Sequence, residues 1–307
     1  MRNFIFYTIL CAFLFMQNPL NAQRDFSKVE IKTEKISDNI YMLVGSGGNI
    51  GVVVGDKKVL MIDSQFAPLS DKISKAIAGI SDKPIEMLVN THWHGDHTGG
   101  NKNFGEKGIT IVAHENVRER MSTEQIRPFR KPTPAAPKPA IPTITFKEDI
   151  TLYVGDETLM AFHVHQAHTD GDAIIYFPKS NVMHMGDTYF KGRYPYIDLG
   201  SGGSVMGVLK ALNKAIFLAD SDTKIIPGHG TLSNKKELME YRDVITTVID
   251  RVKKAIASDM TLEEIKASNL TKEYDEEWGS GFINPDKFME ILYSDLTKEE
   301  TTKEEKK

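Results

Sequence analysis

Thr91-His92-Trp93-His94-Gly95-Asp96-His97 places four metal-ligand side chains, His92, His94, Asp96 and His97, within six residues. The segment follows the apolar run Ile85–Val89, whose length and branching read as a buried strand. Residues leaving a strand alternate in direction, so His92 and His94 converge on one ion. Asp96 and His97 then open a short helix and face a second ion beside the first. Gly95, Gly99 and Gly100 allow the backbone to close tightly around them.

Two ions need more donors, and three distant loops carry them. His168 lies in AHTDGD, Asp187 in HMGDTY and His229 in PGHG, each just after a strand pattern. Strand-end loops are where functional side chains collect. His163, His165 and His184 lie close to these loops and are expected to pack or hydrogen-bond rather than ligate, because the other seven donors already fill two sites. Asp63, at the end of an apolar strand, is either a support for one of the ligand histidines or a turn former. Asn90 and Thr91 are expected to shape the loop, as are Asp170 and Asp172 after His168. Trp93 is expected to pack, and His114 to begin a helix. One of Tyr189, Lys191 and Arg193 is a candidate for binding a substrate carboxylate or oxyanion.

The rest of the chain reads as strands and helices in two similar blocks. Val29–Ile31, Ile40–Val44, Ile50–Val54 and Val59–Ile62 are apolar and β-branched, with GSGG and GDKK turns between them. A helix is expected over 66–80, then short helices and a strand around Ile109–Val112. Strand patterns return at Thr143–Phe146, Ile150–Val154, Thr158–Val164, Ala173–Phe177, Asn181–Met185 and Lys224–Ile226. Helices are expected over 203–218 and 234–257. Strands followed by helices, twice over, imply two packed sheets with helices outside: an α/β four-layer αββα sandwich. Residues 126–142 interrupt the pattern with six of the 13 prolines. Proline lacks the ladder donor, so this is an extended loop, expected to serve as a substrate lid.

These residues carry a family resemblance. The HxHxDH block at 92–97, His168, the Asp187 of GD and the His229 of GHG resemble the metallo-β-lactamase superfamily in order and spacing, over nearly all of the chain after residue 22. The resemblance implies the αββα fold and two Zn(2+) per chain. His92, His94 and His168 would hold one ion and Asp96, His97 and His229 the other, with Asp187 bridging. Asp96 and Asp187 would be the catalytic carboxylates. Zinc lowers the pKa of bound water toward about 7, which makes a nucleophile available at neutral pH. The implied activity is hydrolysis of a small-molecule carbonyl substrate: a β-lactam, a lactone or an ester. At the position of Asp187 the family's β-lactamases carry cysteine or serine, whereas its thioesterases and lactonases carry aspartate. A glyoxalase-type thioesterase and a non-catalytic zinc-dependent binding or sensor protein are the alternatives.

Bulk properties narrow the setting. The 307 residues, 40% hydrophobic and 26% charged, suit one large globular domain. A net charge of -4 gives no reason to expect nucleic acid or an anionic membrane surface as partner. Arg2, the apolar run Phe4–Met16 and the small residue Ala22 form the order of a secretory signal peptide, expected over 1–22. The hydrolase domain would then span 23–296, followed by a charged flexible tail over 297–307, in a periplasmic or secreted protein that no longer contacts the membrane. Cleavage removes Cys11, the only cysteine, so the mature chain has no thiolate and any zinc must be held by nitrogen and oxygen.

Overall fold

The computed structural model describes residues 25–126 and 132–304. The expected signal segment lies outside the described residues, apart from which the chain forms two sheets. The first contains β1 (Lys32–Lys35), β2 (Ile40–Val44), β3 (Ile50–Val54), β4 (Val59–Ile62), β5 (Ile85–Val89), β6 (Thr110–His114) and β7 (Ile144–Phe146), in spatial order. β1 to β4 form an antiparallel meander and β4 to β7 run parallel. The second sheet contains β8 (Asp149–Val154), β9 (Glu157–His163), β10 (Ala173–Phe177), β11 (Val182–His184), β12 (Lys224–Ile226) and β13 (Ser233–Asn234), again in spatial order. Only its β11–β12 pair is parallel.

The helices are α1 (Ser70–Ala78), α2 (Gly95–Thr98), α3 (Asn101–Gly105), α4 (Glu115–Ser122), α5 (Val205–Leu218), α6 (Lys235–Ile256), α7 (Leu262–Ala267), α8 (Asp275–Trp278) and α9 (Pro285–Glu304). Three apolar layers bind them to the sheets. Ile40, Val53 and Ile62 of the first sheet meet Leu159, Ile175 and Ile226 of the second. Leu43, Val52 and Met61, on the opposite face of the first sheet, meet Ile73 of α1 and Phe104 of α3. Ile174 and Met183 of the second sheet meet Leu212, Ile245 and Leu292 from α5, α6 and α9. The central strands are buried on both faces, which is why they read as unbroken apolar runs. The four layers are those of an αββα sandwich.

Two local expectations need correction. The first strand forms at Lys32–Lys35, not at Val29–Ile31. Val29 and Ile31 pack beside α1 instead, and Lys72 on that helix donates to the carbonyls of Phe26, Ser27 and Val29. The charged run from Thr297 continues α9 as far as Glu304. Of the proline-rich loop expected to serve as a lid, residues 127–131 lie outside the described residues, and the described part, 132–142, is tied to the fold. Asn101 Nδ2 donates to Ala140 O at 3.1 Å, and Ala136 N donates to Met121 O at 2.7 Å. No residue of 132–142 lines the main cavity among the described residues.

β11 and β12 run parallel, and β9 runs with them because two antiparallel steps separate it from β11. The segments following these strands therefore emerge at one edge. The segments after β4 and β5, which are also parallel, meet them there. Asn49 N donates to Gly228 O at 2.7 Å and Ala173 N donates to Thr91 O at 2.8 Å, which joins the two sheets at this edge.

Candidate metal centre

The seven donors of the sequence analysis converge at that edge. His92, His94, His168 and Asp187 form one group, and Asp96, His97 and His229 form the other. Asp187 sits between them. Its Oδ2 lies 3.7 Å from His92 Nε2 and 3.6 Å from His168 Nε2. Its Oδ1 lies 3.0 Å from His97 Nε2 and 3.4 Å from His229 Nε2. Asp96 Oδ2 completes the second group 3.3 Å from His229 Nε2.

The outward nitrogens fix which inward atoms carry lone pairs. His168 Nδ1 donates to Tyr196 O at 2.7 Å, and His94 Nε2 donates to Asp198 Oδ2 at 2.9 Å. In the neutral rings His168 Nε2 and His94 Nδ1 are then both acceptors, yet they face each other at 2.8 Å. His97 Nδ1 donates to Asp63 Oδ2 at 2.7 Å, which turns its Nε2 toward Asp187 Oδ1, 3.0 Å away. His92 Nε2 and Asp187 Oδ1 are buried with no hydrogen-bond partner. Buried acceptors at such spacings are unfavourable toward one another and favourable toward a cation. All the donors are nitrogen and oxygen. The residues fit metal ions.

Asp63 holds both groups. It accepts Thr91 N–H on Oδ1 at 2.8 Å and Thr91 Oγ1–H on Oδ2 at 2.7 Å. The Thr91 oxygen can then accept from His92 Nδ1, 3.1 Å away. One carboxylate thus orients His97 directly and His92 through Thr91, as outer carboxylates do around metal-binding histidines. The turn needed for this puts Asp63 in the left-handed region at φ 63. Of the two readings the sequence leaves open for Asp63, the structure therefore combines support and turn.

Charge coupling follows the same geometry. Burial opposes ionisation of Asp187, but the charges of His97 and His229 outweigh it and hold the carboxyl well below the usual range. Burial lowers His229, and Asp187 overrides that and raises it to about 9. His97 moves up well above its ordinary value for the same reason, with Asp63 adding to the effect. Burial would raise Asp96, but its hydrogen bond with His229 and the charge of His97 bring it down to about 2. Burial lowers His92, His94 and His168.

Glycines supply the close approaches. A Cβ on Gly48 would stand 2.0 Å from His97 Cε1, and one on Gly228 would stand 2.1 Å from Asp187 Oδ1. The remaining histidines stay outside both groups. His163 stacks on His114 with centroids 3.8 Å apart, and its Nδ1 donates to Asp172 O. His165 pairs with Glu148 on the surface, and His184 Nε2 donates to Asn49 O. His114 caps α4 by accepting from Asn116 N. Trp93 packs with Val117, Met121 and Ala140. Asp170 takes a two-point ion pair from Arg120, and Asp172 accepts from both Thr169 N and Thr169 Oγ1.

Asp198 has no counterpart in the sequence reading. It lies 104 residues from His94, in a Gly-Ser turn with no ligand spacing around it, so only tertiary folding brings it to the site. The two groups open onto a cavity of about 630 Å³. His94, Asp96, Asp187 and His229 lie on its metal-facing side, with Phe66, Phe190, Tyr196 and Phe282 among its other walls.

A four-layer sandwich with two histidine–carboxylate groups at one sheet edge defines a class of metal-binding hydrolase folds. The chain belongs to the metallo-beta-lactamase superfamily, whose family model matches residues 43–229. It is 21% identical to the metallo-beta-lactamase type 2 of Bacteroides fragilis over 241 residues, 73% of this chain and 89% of that one. It is 25% identical to the 2,4-dinitroanisole O-demethylase subunit alpha of a Nocardioides species over 52% of this chain and 47% of that one. Among solved structures, the fold is similar to a metallo-beta-lactamase from Pontibacter korlensis, with a TM-score of 0.59 at 16% identity, covering 71% of this chain and 99% of that one. It is also similar to DIM-1 metallo-beta-lactamase, with a TM-score of 0.57 at 21% identity, covering 72% and 99%. Superfamily members are metal-dependent hydrolases, and this chain carries a metal-binding cluster suited to that chemistry.

Proposed function

We propose that the protein is an exported hydrolase with two zinc ions per chain, which cleaves a lactone or activated ester in preference to a β-lactam. The observation that carries this reading is Asp187, whose two oxygens face different histidine groups. All-nitrogen-and-oxygen donor sets of three residues plus a shared carboxylate suit zinc. Bound there, a zinc pair supplies a nucleophile from water at neutral pH and a Lewis acid for the substrate carbonyl.

The chain's own residues set how that chemistry is used. His92, His94 and His168 have their inward nitrogens fixed as acceptors by Thr91, Asp198 and the Tyr196 carbonyl. Asp96, ionised throughout the neutral range and lining the cavity, orients the attacking water. Tyr196 stacks on His94 and Phe190 on His229, which shields those rings from bulk solvent. Asp187 adds a negative charge between the two groups. That lowers the electrophilicity available to steady a leaving nitrogen, so amide cleavage suffers more than ester cleavage. Export rests on the signal-like segment 1–22, and among the described residues no helix is long and apolar enough to cross a membrane.

The test is a panel of β-lactams, acyl lactones, activated esters and thioesters on one zinc-loaded preparation, with a chelator control. A lactone or ester should give the highest kcat/KM. A β-lactam best by more than about tenfold, ~1.4 kcal/mol of transition-state stabilisation, would refute the preference. Absence of turnover on every class would refute the hydrolase reading itself.

A further inference from the structure

A metal-binding histidine must aim one ring nitrogen at the ion, and a hydrogen bond on the other nitrogen commonly fixes that aim. Four of the five histidines in the two groups have such a bond. His92 Nδ1 meets Thr91 Oγ1, His94 Nε2 meets Asp198, His97 Nδ1 meets Asp63 and His168 Nδ1 meets the Tyr196 carbonyl. His229 differs. Its Nε2 faces Asp96 and Asp187, and its Nδ1 has no hydrogen-bond partner among the described residues. Phe190 lies parallel to the ring at 5.4 Å. A stack sets the plane of a ring but not where its nitrogens point within that plane. That direction is left to the backbone that carries the ring.

Asn49 holds that backbone. It is buried, stands just before β3 and lies 178 residues from Pro227 along the chain. Its Nδ2 donates to Pro227 O and to Gly230 O at 2.9 Å each, on either side of His229. Its backbone N donates to Gly228 O at 2.7 Å. The two outer carbonyls can only accept, so only the NH2 end of the amide can face them. Asn49 O in turn accepts from His184 Nε2 at 3.1 Å, which ties the residue to β11 as well.

The preceding residue serves the other two members of the same group. Gly48 N donates to Asp96 O at 3.1 Å, and the bare Cα of Gly48 makes room for the His97 ring. Gln65 Nε2 fixes Gly48 by donating to its carbonyl at 2.7 Å. Gly48 and Asn49 therefore touch Asp96, His97 and the turn of His229. Among the described residues, neither makes a hydrogen bond to His92, His94 or His168.

We infer that Asn49 is the positioning residue of the Asp96–His97–His229 group. Its amide grips the Pro227–Gly230 turn on both sides and so aims His229, in place of the outer hydrogen bond that the other four histidines have. The inference rests on the two-ion reading above and deepens it. The first sheet supplies the grip and the second sheet supplies the turn. This group is therefore complete only where the two sheets meet at their shared edge.

The experiment titrates metal-free protein with zinc against a calibrated chelator. H229A identifies the binding step that belongs to its group. N49A should weaken that step by about 10- to 100-fold and leave the other step unchanged. N49S should lie between N49A and wild type, because one hydroxyl can still donate to one of the two carbonyls. It carries the test if N49A does not fold. A merely structural role would instead weaken both steps together and lower urea stability in proportion. In the zinc-loaded wild type, 1H–15N NMR assigned with H229A should show the His229 ring N–H exchanging with water far faster than those of the other four histidines. A His229 N–H as protected as the rest overturns the inference, since the ring would then have its own outer partner. Two wild-type steps that Asn49 variants leave unaltered, or weaken equally, overturn it while the two-ion reading stands. A wild type that takes up a single ion refutes the two-ion reading and the inference with it.

Discussion

Asp63 Oδ2 accepts a hydrogen bond from His97 Nδ1 at 2.7 Å, and the same oxygen accepts Thr91 Oγ1, which stands against His92. A single buried carboxylate therefore orients one histidine of each ligand group. Asp63→Asn keeps the shape but removes the charge and forces an amide N–H or a weaker acceptor toward His97. Metal affinity should fall by about 10- to 100-fold at both sites. Competition with a calibrated chelator measures this, and a loss confined to one site would show that the Thr91 relay does not matter.

Asp187 and His229 should differ in reach. Asp187 faces both groups, whereas His229 belongs to one. Asp187→Ala should bring the protein from two zinc ions to fewer than one and reduce kcat at least 100-fold. His229→Ala should leave close to one zinc, held by His92, His94 and His168. Metal analysis after gel filtration reads both. A wild-type protein that saturates at a single ion would contradict the two-site reading.

Acid should destabilise the protein through His184. Its Nε2 donates to Asn49 O and its Nδ1 accepts from Gly186 N, so a second ring proton would meet another donor. Burial pushes its pKa down from 6.5 to about 4. As pH falls, the unfolded chain gains this proton near 6.5, before the folded chain does near 4. The contribution to stability is therefore complete above pH 6.5 and is lost between 6.5 and 4, with a ceiling of about 3 kcal/mol. Urea unfolding across that range should show a shallower pH dependence for His184→Gln than for wild type. Parallel curves would remove His184 as a cause.

The proline-rich strap should matter for stability and metal retention. Asn101 Nδ2 donates to Ala140 O and to Asn90 Oδ1, and its Oδ1 accepts from Ser64 Oγ. Ser64 in turn donates from its backbone N to His97 O. Asn101→Ala leaves several buried polar groups unpaired and should cost about 2 kcal/mol, with weaker binding at the Asp96–His97–His229 group. Denaturant unfolding and zinc retention decide it. A change in substrate preference at unaltered stability would point instead to the lid role expected of this loop.

The sequence by itself determined the chemistry of the donors and the fold class. His92, His94, Asp96 and His97 are so close in the chain that a strand followed by a short helix already brings them together. Ile40–Val44, Ile50–Val54, Val59–Ile62, Ile85–Val89 and Ala173–Phe177 form as read, because strands buried on both faces are apolar along their whole length. Val29–Ile31 misled because apolar residues that pack beside a helix resemble a short strand. Only the tertiary structure decided what surrounds the donors. Asp198 reaches His94, Asn101 ties the proline strap to the site, and Arg193 rather than Lys191 faces the cavity. Nothing local marks these choices. A carboxylate or a cation has the same sequence signature whether it faces solvent, a partner or a cavity, and its partner is set by how the sheets and helices pack across a hundred residues or more of chain.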